Sequence, residues 1–310
     1  MPPDITRGID TKKIFHNNNL MRNKLTDELA ICGMNAALAV CKHHPQVINR
    51  LFLREDRLKS FSAVCKQLAE RKRPYKICED DELERICKSI HHQGVVAMIE
   101  DPVIEPLVHE DLDAWADEGK TGILLHSVGN DHNLGAIARA AAFFDAAYIV
   151  LNEKDSSFNT GSSPEYSSAS QLSSASHMLS DPPQSSTSQL RLTTSAYRVA
   201  EGAMEFLTVR RISSSAKFLK DASKRLITIG TDTRARMRIS DLPGIIKGSK
   251  IKTKMKRPGI VLVLGNEETG LPKNVKEQCS YLLRIPGTGN IESLNVSQAA
   301  ALFLNAIYET

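Results

Sequence analysis

The chain lacks most of the signatures that mark nucleotide-binding and hydrolytic enzymes. It has no G-x-x-x-x-G-K-S/T of the kind that cradles phosphates, and no G-x-G-x-x-G after its first strand. Gly287 and Gly289 resemble part of such a loop, but they follow a late strand and no third glycine completes it. G-x-S-x-G is absent, so a hydrolase elbow has no support. No His, Cys, Asp and Glu stand at metal-ligand spacing, and no metal is expected.

Other absences concern compartment. Apolar runs fall far short of the roughly 18–20 residues that span a bilayer, so no membrane is expected. The start, MPPDITRGIDTKKIF, carries no apolar core of the signal-peptide type. The six cysteines (Cys32, Cys41, Cys65, Cys78, Cys87, Cys279) form no C-x-x-C pair, and five fall in the first hundred residues within apolar patterns. Reduced, buried thiols of a cytoplasmic protein fit this usage better than disulfides or a metal site. Aromatics make up only 5% of the chain, with one Trp, at position 115.

What is present describes a soluble two-domain protein: 310 residues, 41% hydrophobic and 25% charged. The net charge of +4 conceals an uneven distribution. Residues 27–120 hold 13 Lys/Arg against 18 acids, whereas 191–259 hold 17 Lys/Arg against five acids. Basic charge gathered in one region suggests a polyanion, with nucleic acid the leading candidate over a merely solubilising surface.

Taken in order, residues 1–26 read as a loose basic arm. Residues 27–101 alternate helical and strand patterns: a helix over 30–42, strands over 49–54, 75–78 and 95–99, helices over 58–71 and 80–89. That alternation predicts a small α/β domain. Residues 102–120 read as an acidic, proline-bearing linker with a short amphipathic helix. From 121 to 310 the α/β alternation resumes, with a strand at 122–128 and a helix at 133–144. It is interrupted at 155–190, where 14 of 36 residues are Ser and none is Lys or Arg. Such a segment cannot bury enough apolar surface to offset its ordering entropy and is expected to be a disordered insertion. KGSKIKTKMKR, at 247–257, reads as a mobile basic loop.

Near the C-terminus two apolar runs, 260–264 and 281–285, each break off into a loop of Gly, Pro, Asn, Glu and Ser. The ends of parallel strands are where open α/β sheets bind ligands. The second loop leads into a helix whose Ala299, Leu302, Phe303 and Ile307 are spaced like a buried face. Three segments keep polar residues where a plain fold needs none. Asn133 stands at the expected N-cap of a helix that also carries Arg139; a simple cap and a snorkelling surface cation are equally open to them. Gly265-Asn266-Glu267 follows a strand and is equally readable as a glycine turn. Ser293-Leu294-Asn295 is readable as a capping turn.

Read together, N-x-G-A-I-x-R-x-A, then V-L-G-N-E-x-x-G-L-P, then I-P-G-x-G-x-x-E-S-L-N-V-S-x-A resemble the three ordered motifs of the SpoU (TrmH) family of RNA 2′-O-ribose methyltransferases, of the SPOUT class. The resemblance covers about 120–310 apart from the Ser-rich insertion. Residues 30–101 look like the L30e-type substrate-binding domain that often precedes it. SAYRVAEGA at 195–203, with the HHQG turn at 91–94, is similar to the YfiF-like subset of that group.

The resemblance implies a parallel α/β sheet whose last strands and helix thread a trefoil knot, and a homodimer. It implies S-adenosyl-L-methionine as cofactor, held by Leu264, Gly265, Asn266, Ile285, Gly287 and Leu294, and an rRNA or tRNA partner. It also implies that Arg139 assists the 2′-OH, with Asn133, Glu267, Ser293 and Asn295 shaping the site. A free guanidinium has a pKa above about 12, so positioning of phosphate and hydroxyl is the conservative role for Arg139. Gly287 stands where the family has Met. A catalytically inactive RNA-binding protein retaining the knotted fold is the alternative.

Overall fold

The computed structural model describes residues 22–23, 28–153, 190–251, 253, 255 and 257–310. The arm expected over 1–26 and the insertion expected over 155–190 therefore fall almost wholly outside the described residues, as do Lys252, Lys254 and Lys256 of the basic run.

The first unit comprises β1 (Arg22–Asn23), β2 (Glu28–Cys32), α1 (Met34–His43), β3 (Ile48–Leu53), α2 (Ser62–Glu70), β4 (Tyr75–Ile77), α3 (Asp80–Cys87) and β5 (Val95–Glu100). Its sheet runs β1-β2-β5-β3-β4. Strand β5 lies antiparallel to both β2 and β3, and β4 joins parallel to β3. The helix expected over 30–42 is in part a strand. All five residues of β2 are buried, and Gly33, at φ 97°, breaks the backbone before α1 begins at Met34. The apolar spacing of AICGM suits either period, and pairing with β5 decides for strand.

The second unit comprises α4 (His109–Glu118), β6 (Thr121–Leu125), α5 (Asp131–Phe143), β7 (Ala146–Asn152), α6 (Thr194–Ala200), β8 (Thr208–Ile212), α7 (Ser215–Ala222), β9 (Ile227–Thr231), β10 (Met237–Arg238), α8 (Leu242–Lys247), β11 (Ile260–Leu264), α9 (Lys273–Lys276), β12 (Tyr281–Arg284) and α10 (Val296–Tyr308). Its sheet runs β10-β12-β9-β11-β6-β7-β8, and every neighbouring pair is parallel. Helices on both faces explain why β6 and β11 are buried at every position. Alternate residues go to opposite layers. Ile123, Leu125, Leu262 and Leu264 join the core under α5 and α10, while Leu124, Val261 and Val263 join the one under α4 and α7. The short β10, α8 and α9 have no sequence signal strong enough to have been expected.

The helix within the 102–120 connection is α4, and it is anchored by its Trp. The Trp115 ring is fully buried, stacks on Tyr148 at 4.7 Å between centroids, and donates Nε1–H to the Lys120 carbonyl at 2.9 Å. Gly122 makes room for it: a Cβ there would stand 2.2 Å from the indole.

The two units are joined by packing. One apolar cluster runs from Leu29 and Ile31 of the first sheet through Ala200 of α6 to Ile123 and Ala138. Beyond α6 the chain turns at Gly202, φ 91°, where a Cβ would lie 2.7 Å from that of Ala39 on α1. Asn35 donates its amide to Glu201 at 2.7 Å, and His44 pairs with Glu205.

Candidate functional site

Strands β12, β9, β11 and β6 lie side by side and end at one edge of the sheet. The loops that follow them are built from the polar residues singled out in the sequence. The end of β6 is tied to that of β11 by His126, whose N–H donates to the Leu264 carbonyl at 2.9 Å. Ser127 then takes a left-handed conformation, φ 56°, and its carbonyl accepts the Asn266 side-chain amide at 3.0 Å.

Asn133 does not cap α5. Asn130 does so, with extended backbone and its Oδ1 accepting the His132 N–H at 2.8 Å, which leaves Asn133 inside the first turn. Relieved of capping, the Asn133 amide donates to Glu267 and its Oδ1 accepts from Asn295 at 3.1 Å.

The loop after β11 folds around Asn266. Its Oδ1 accepts the N–H groups of Glu268 and Thr269, each at 3.0 Å, and its carbonyl accepts that of Gly270 at 2.9 Å. The loop closes so tightly that a Cβ on Gly265 would stand 2.5 Å from the Gly270 carbonyl carbon. Glu267 stays exposed at its tip.

The loop after β12 is the least bonded of the three. Among the described residues, no backbone–backbone hydrogen bond outside helices and strands involves 286–294. Apart from the Asn290 N–H, which donates to Thr288 Oγ1 at 3.4 Å, its N–H and C=O groups are thus available to a ligand. Ile285 is half-buried, whereas Gly287, Ser293 and Leu294 are exposed, and a Cβ at Gly287 would meet nothing within 4 Å. Asn295 closes the loop by capping α10, its Oδ1 accepting from Ser297 N at 2.8 Å.

The structure therefore brings Asn133, Glu267 and Asn295, one residue from each motif, into a single hydrogen-bonded line. Ser293 and Arg139 stand outside it. Arg139 is exposed on α5, six residues past Asn133 and about a third of a turn away at ~100° per residue, with no bond to a described residue. The buried face expected on α10 is corrected at two positions, since Ala299 is only half-buried. Phe303 and Ile307 are buried, with Ala300 and Leu304, but Leu302 is 45% exposed because it lies off the arc that meets α5 and the sheet.

Sequence reasoning missed two groups. His126 Nδ1 lies 2.9 Å from Ser215 Oγ, which accepts from Asn152 at 2.9 Å, so a buried polar cluster braces the ends of β6 and β7. Their position at the ends of apolar runs is the only signal. Asp232, just past β9, pairs with Lys276 at 2.8 Å. Burial would raise its pKa, but the Lys276 hydrogen bond and the Arg234 N–H outweigh it and hold the carboxyl below its usual range. Arg234, Arg236 and Arg238 follow, all exposed, beside β12. Among the described residues, no three His, Cys, Asp or Glu side chains gather as metal ligands, and no helix is long and apolar enough to cross a membrane.

Fold and site together define an α/β protein with a parallel-sheet domain, ligand-ready loops at its carboxyl edge, and a smaller domain docked alongside. Two family models match it. The RNA 2′-O ribose methyltransferase substrate binding model covers 30–103, and the SpoU rRNA Methylase family model covers 184–305. Residues 184–305 are thus similar to the SpoU methylase domain, and residues 30–103 to the substrate-binding domain of RNA 2′-O ribose methyltransferases. The chain is 27% identical over 284 residues to the 23S rRNA (guanosine-2′-O-)-methyltransferase RlmB of Bordetella pertussis, covering 88% of this chain and 94% of that one. It is 23% identical over 309 residues to the uncharacterized tRNA/rRNA methyltransferase YfiF of Escherichia coli O157:H7, covering 98% of this chain and 74% of that one. The AdoMet-bound rRNA methyltransferase of Sinorhizobium meliloti shares the fold, with a TM-score of 0.64 at 18% identity over 93% of this chain and 91% of that one.

Proposed function

We propose that this protein is an S-adenosylmethionine-dependent methyltransferase that modifies a ribose 2′-OH of rRNA or tRNA. The observation that carries the reading is the line Glu267–Asn133–Asn295, which gathers all three motifs at the carboxyl edge of a parallel sheet. The loops there fit the cofactor, since 286–294 leave most backbone donors and acceptors free, the Asn290 N–H excepted, and Gly265 admits a very close chain approach. Leu264, Gly265 and Asn266 on one side, with Ile285, Gly287 and Leu294 on the other, would hold it. When bound, it supplies a methyl group already activated by positive sulfur.

The chain's own residues then have distinct tasks. The Asn133 amide is fixed from both sides, so it orients the Glu267 carboxylate without side-chain reorganisation. Asn295 couples the end of the cofactor loop to α10. Arg139, exposed and unpaired among described residues, is placed to bind an RNA phosphate and to orient the 2′-OH as its proton departs. Ser293 borders the cofactor loop. Arg234, Arg236 and Arg238 extend the basic surface along the same edge, consistent with a polyanionic substrate.

Three finer features belong to the same reading. The C-terminal segment threads a trefoil knot; in support, β12 pairs outside β9 while α10 returns to pack on α5. The five-stranded unit is an L30e-like RNA-binding domain over 27–101, joined through 102–120 to the methyltransferase domain over 121–310. The protein is a homodimer through α5 and α10, where Phe143 (80% exposed), Leu302 and Tyr308 leave an apolar surface uncovered. Ribosomal or transfer RNA as substrate would place its work in the cytoplasm.

Titration calorimetry with S-adenosylmethionine, followed by ribose-methylation mapping of rRNA and tRNA from a deletion strain, tests the reading. Micromolar binding and a lost 2′-O-methyl site are expected. No heat at millimolar cofactor would sink it.

A further inference from the structure

The buried polar trio at the ends of β6 and β7 lies on the opposite face of the sheet from α5, yet it is bonded toward the loop after β11. His126, two residues past Leu124, points into the same layer as that leucine, under α4 and α7. Its Nδ1 lies 2.9 Å from Ser215 Oγ, which accepts the Asn152 side-chain amide at 2.9 Å. Ser215 and Asn152 are both buried. Helix α7 does not need the Ser215 hydroxyl for its start, because Ser214 caps it by accepting the Lys217 N–H at 3.4 Å. Buried polar groups cost free energy unless bonded, and an apolar trio of the same shape would fill this space at little or no loss. What the polar trio adds is direction: its hydrogen bonds fix where His126 stands, which packing alone does not.

From there two routes lead to the loop after β11. The His126 N–H donates to the Leu264 carbonyl at 2.9 Å. The next residue, Ser127, stands at φ 56°, a left-handed conformation that residues other than glycine rarely adopt without support from their surroundings. In that conformation its carbonyl accepts the Asn266 side-chain amide at 3.0 Å. The oxygen of the same Asn266 side chain accepts from the Glu268 and Thr269 N–H groups and, at 3.2 Å, from Thr269 Oγ1. Leu264 and Asn266 are the two neighbours of Gly265. Both flanks of that glycine are therefore tied to one two-residue segment, His126-Ser127.

We infer that His126 is a positioning residue for the cofactor: held by Ser215, it sets Leu264–Asn266 in the arrangement that takes S-adenosylmethionine. The inference rests on the methyltransferase reading above and adds to it two side chains, His126 and Ser215, that lie outside the Glu267–Asn133–Asn295 line. A group that only prearranges a binding loop lowers affinity when it is lost. It leaves the chemical step nearly intact once the loop is filled.

The test uses the full-length chain, with titration calorimetry for S-adenosylmethionine and single-turnover methyl transfer to total RNA from a deletion strain at saturating cofactor. His126→Leu removes the ring nitrogens and keeps the backbone N–H, and Ser215→Ala removes the partner hydroxyl. Each should weaken cofactor binding about tenfold, the scale of one lost buried hydrogen bond. The single-turnover rate should change by less than about twofold. His126→Asn, whose side-chain amide can stand where Nδ1 does, should recover most of the affinity. Leu219→Val is the control, buried on α7 and part of none of these side-chain bonds. It should lower the melting temperature and leave cofactor affinity unchanged. If His126→Leu does not fold, Ser215→Ala and His126→Asn decide the question between them. Unchanged affinity in the Ser215 and His126 variants would overturn the inference and leave the methyltransferase reading standing. So would an affinity loss that Leu219→Val reproduces at an equal drop in melting temperature. Wild-type protein that gives no heat at millimolar cofactor would overturn the methyltransferase reading itself, and this inference with it.

Discussion

Asn295 donates its side-chain amide to Asn133 across 162 residues of sequence, at 3.1 Å. The same Asn295 caps α10 with its oxygen, so one side chain both starts the last helix and ties it to the first motif. Replacing it by Ala removes both bonds. We expect a stability loss of about 1 kcal/mol from the cap and a fall in methyl transfer on the order of 10²-fold from misplaced groups. Thermal melts and single-turnover assays would separate the two. A variant that loses stability but keeps full activity would deny the bridge a functional role.

Arg139 makes no bond to a described residue, so its removal should leave the fold alone. Arg139→Ala should retain the wild-type calorimetric affinity for S-adenosylmethionine while losing methyl transfer to RNA. Arg139→Lys should recover little, because an ammonium cannot offer the two-pronged contact. Activity persisting in the Ala variant would refute the role given to it.

Gly265→Ala places a Cβ 2.5 Å from backbone that cannot swing aside. The loop after β11 must open, at a cost of about 1–3 kcal/mol, and cofactor affinity should fall at least tenfold. Gly287→Met is the informative contrast. Nothing crowds that position, so the larger residue should be accommodated and, if it packs against the cofactor, tighten binding.

Stability should report the Asp111–Arg210 pair as pH falls. The Arg210 guanidinium beside Asp111, with Nε at 2.9 Å, holds that carboxyl below the usual range, and Asp111 also accepts the Val108 N–H at the start of α4. Because the folded value is depressed, the stabilisation is present above the unfolded pKa near ~3.9 and is lost as pH drops through the folded value. Asp111→Asn should therefore be less stable than wild type at pH 7, by roughly 1–3 kcal/mol, with the gap closing below about pH 4. Urea melts at pH 7 and pH 3.5 would measure it; a gap that did not narrow would assign the effect to helix capping alone.

Phe143→Glu should give a monomer by analytical ultracentrifugation if α5 and α10 form the dimer contact, with the secondary structure unchanged in circular dichroism. A dimer that survives would move the contact elsewhere.

Much of the second unit was legible because its strands are buried on both faces and read as unbroken apolar runs, as in Ile260–Leu264. The start of the first unit was not, because Ala30–Cys32 fit a helical spacing until pairing with β5 fixed them as strand. At the site, Asn133, Glu267 and Asn295 were legible as candidates only through the resemblance of the three ordered motifs, which singled out Ser293 and Arg139 as well. Their mutual bonding was not, since nothing local to Asn133 tells that Asn130 takes the capping duty. Leu302 shows the converse limit: apolar spacing gives a stripe but not how wide an arc the neighbours cover. His126, Ser215 and Asn152 were invisible because their meaning lies in a contact between three separate elements.

Gly202 has a consequence for how the molecule comes apart. Its left-handed turn lets α6 and the residues after it seat against α1, and the apolar cluster continues through that joint without a polar break. Heat should therefore unfold the two sheets together, in one calorimetric peak rather than two. A side chain at 202 would wedge the joint open and let the smaller sheet melt first.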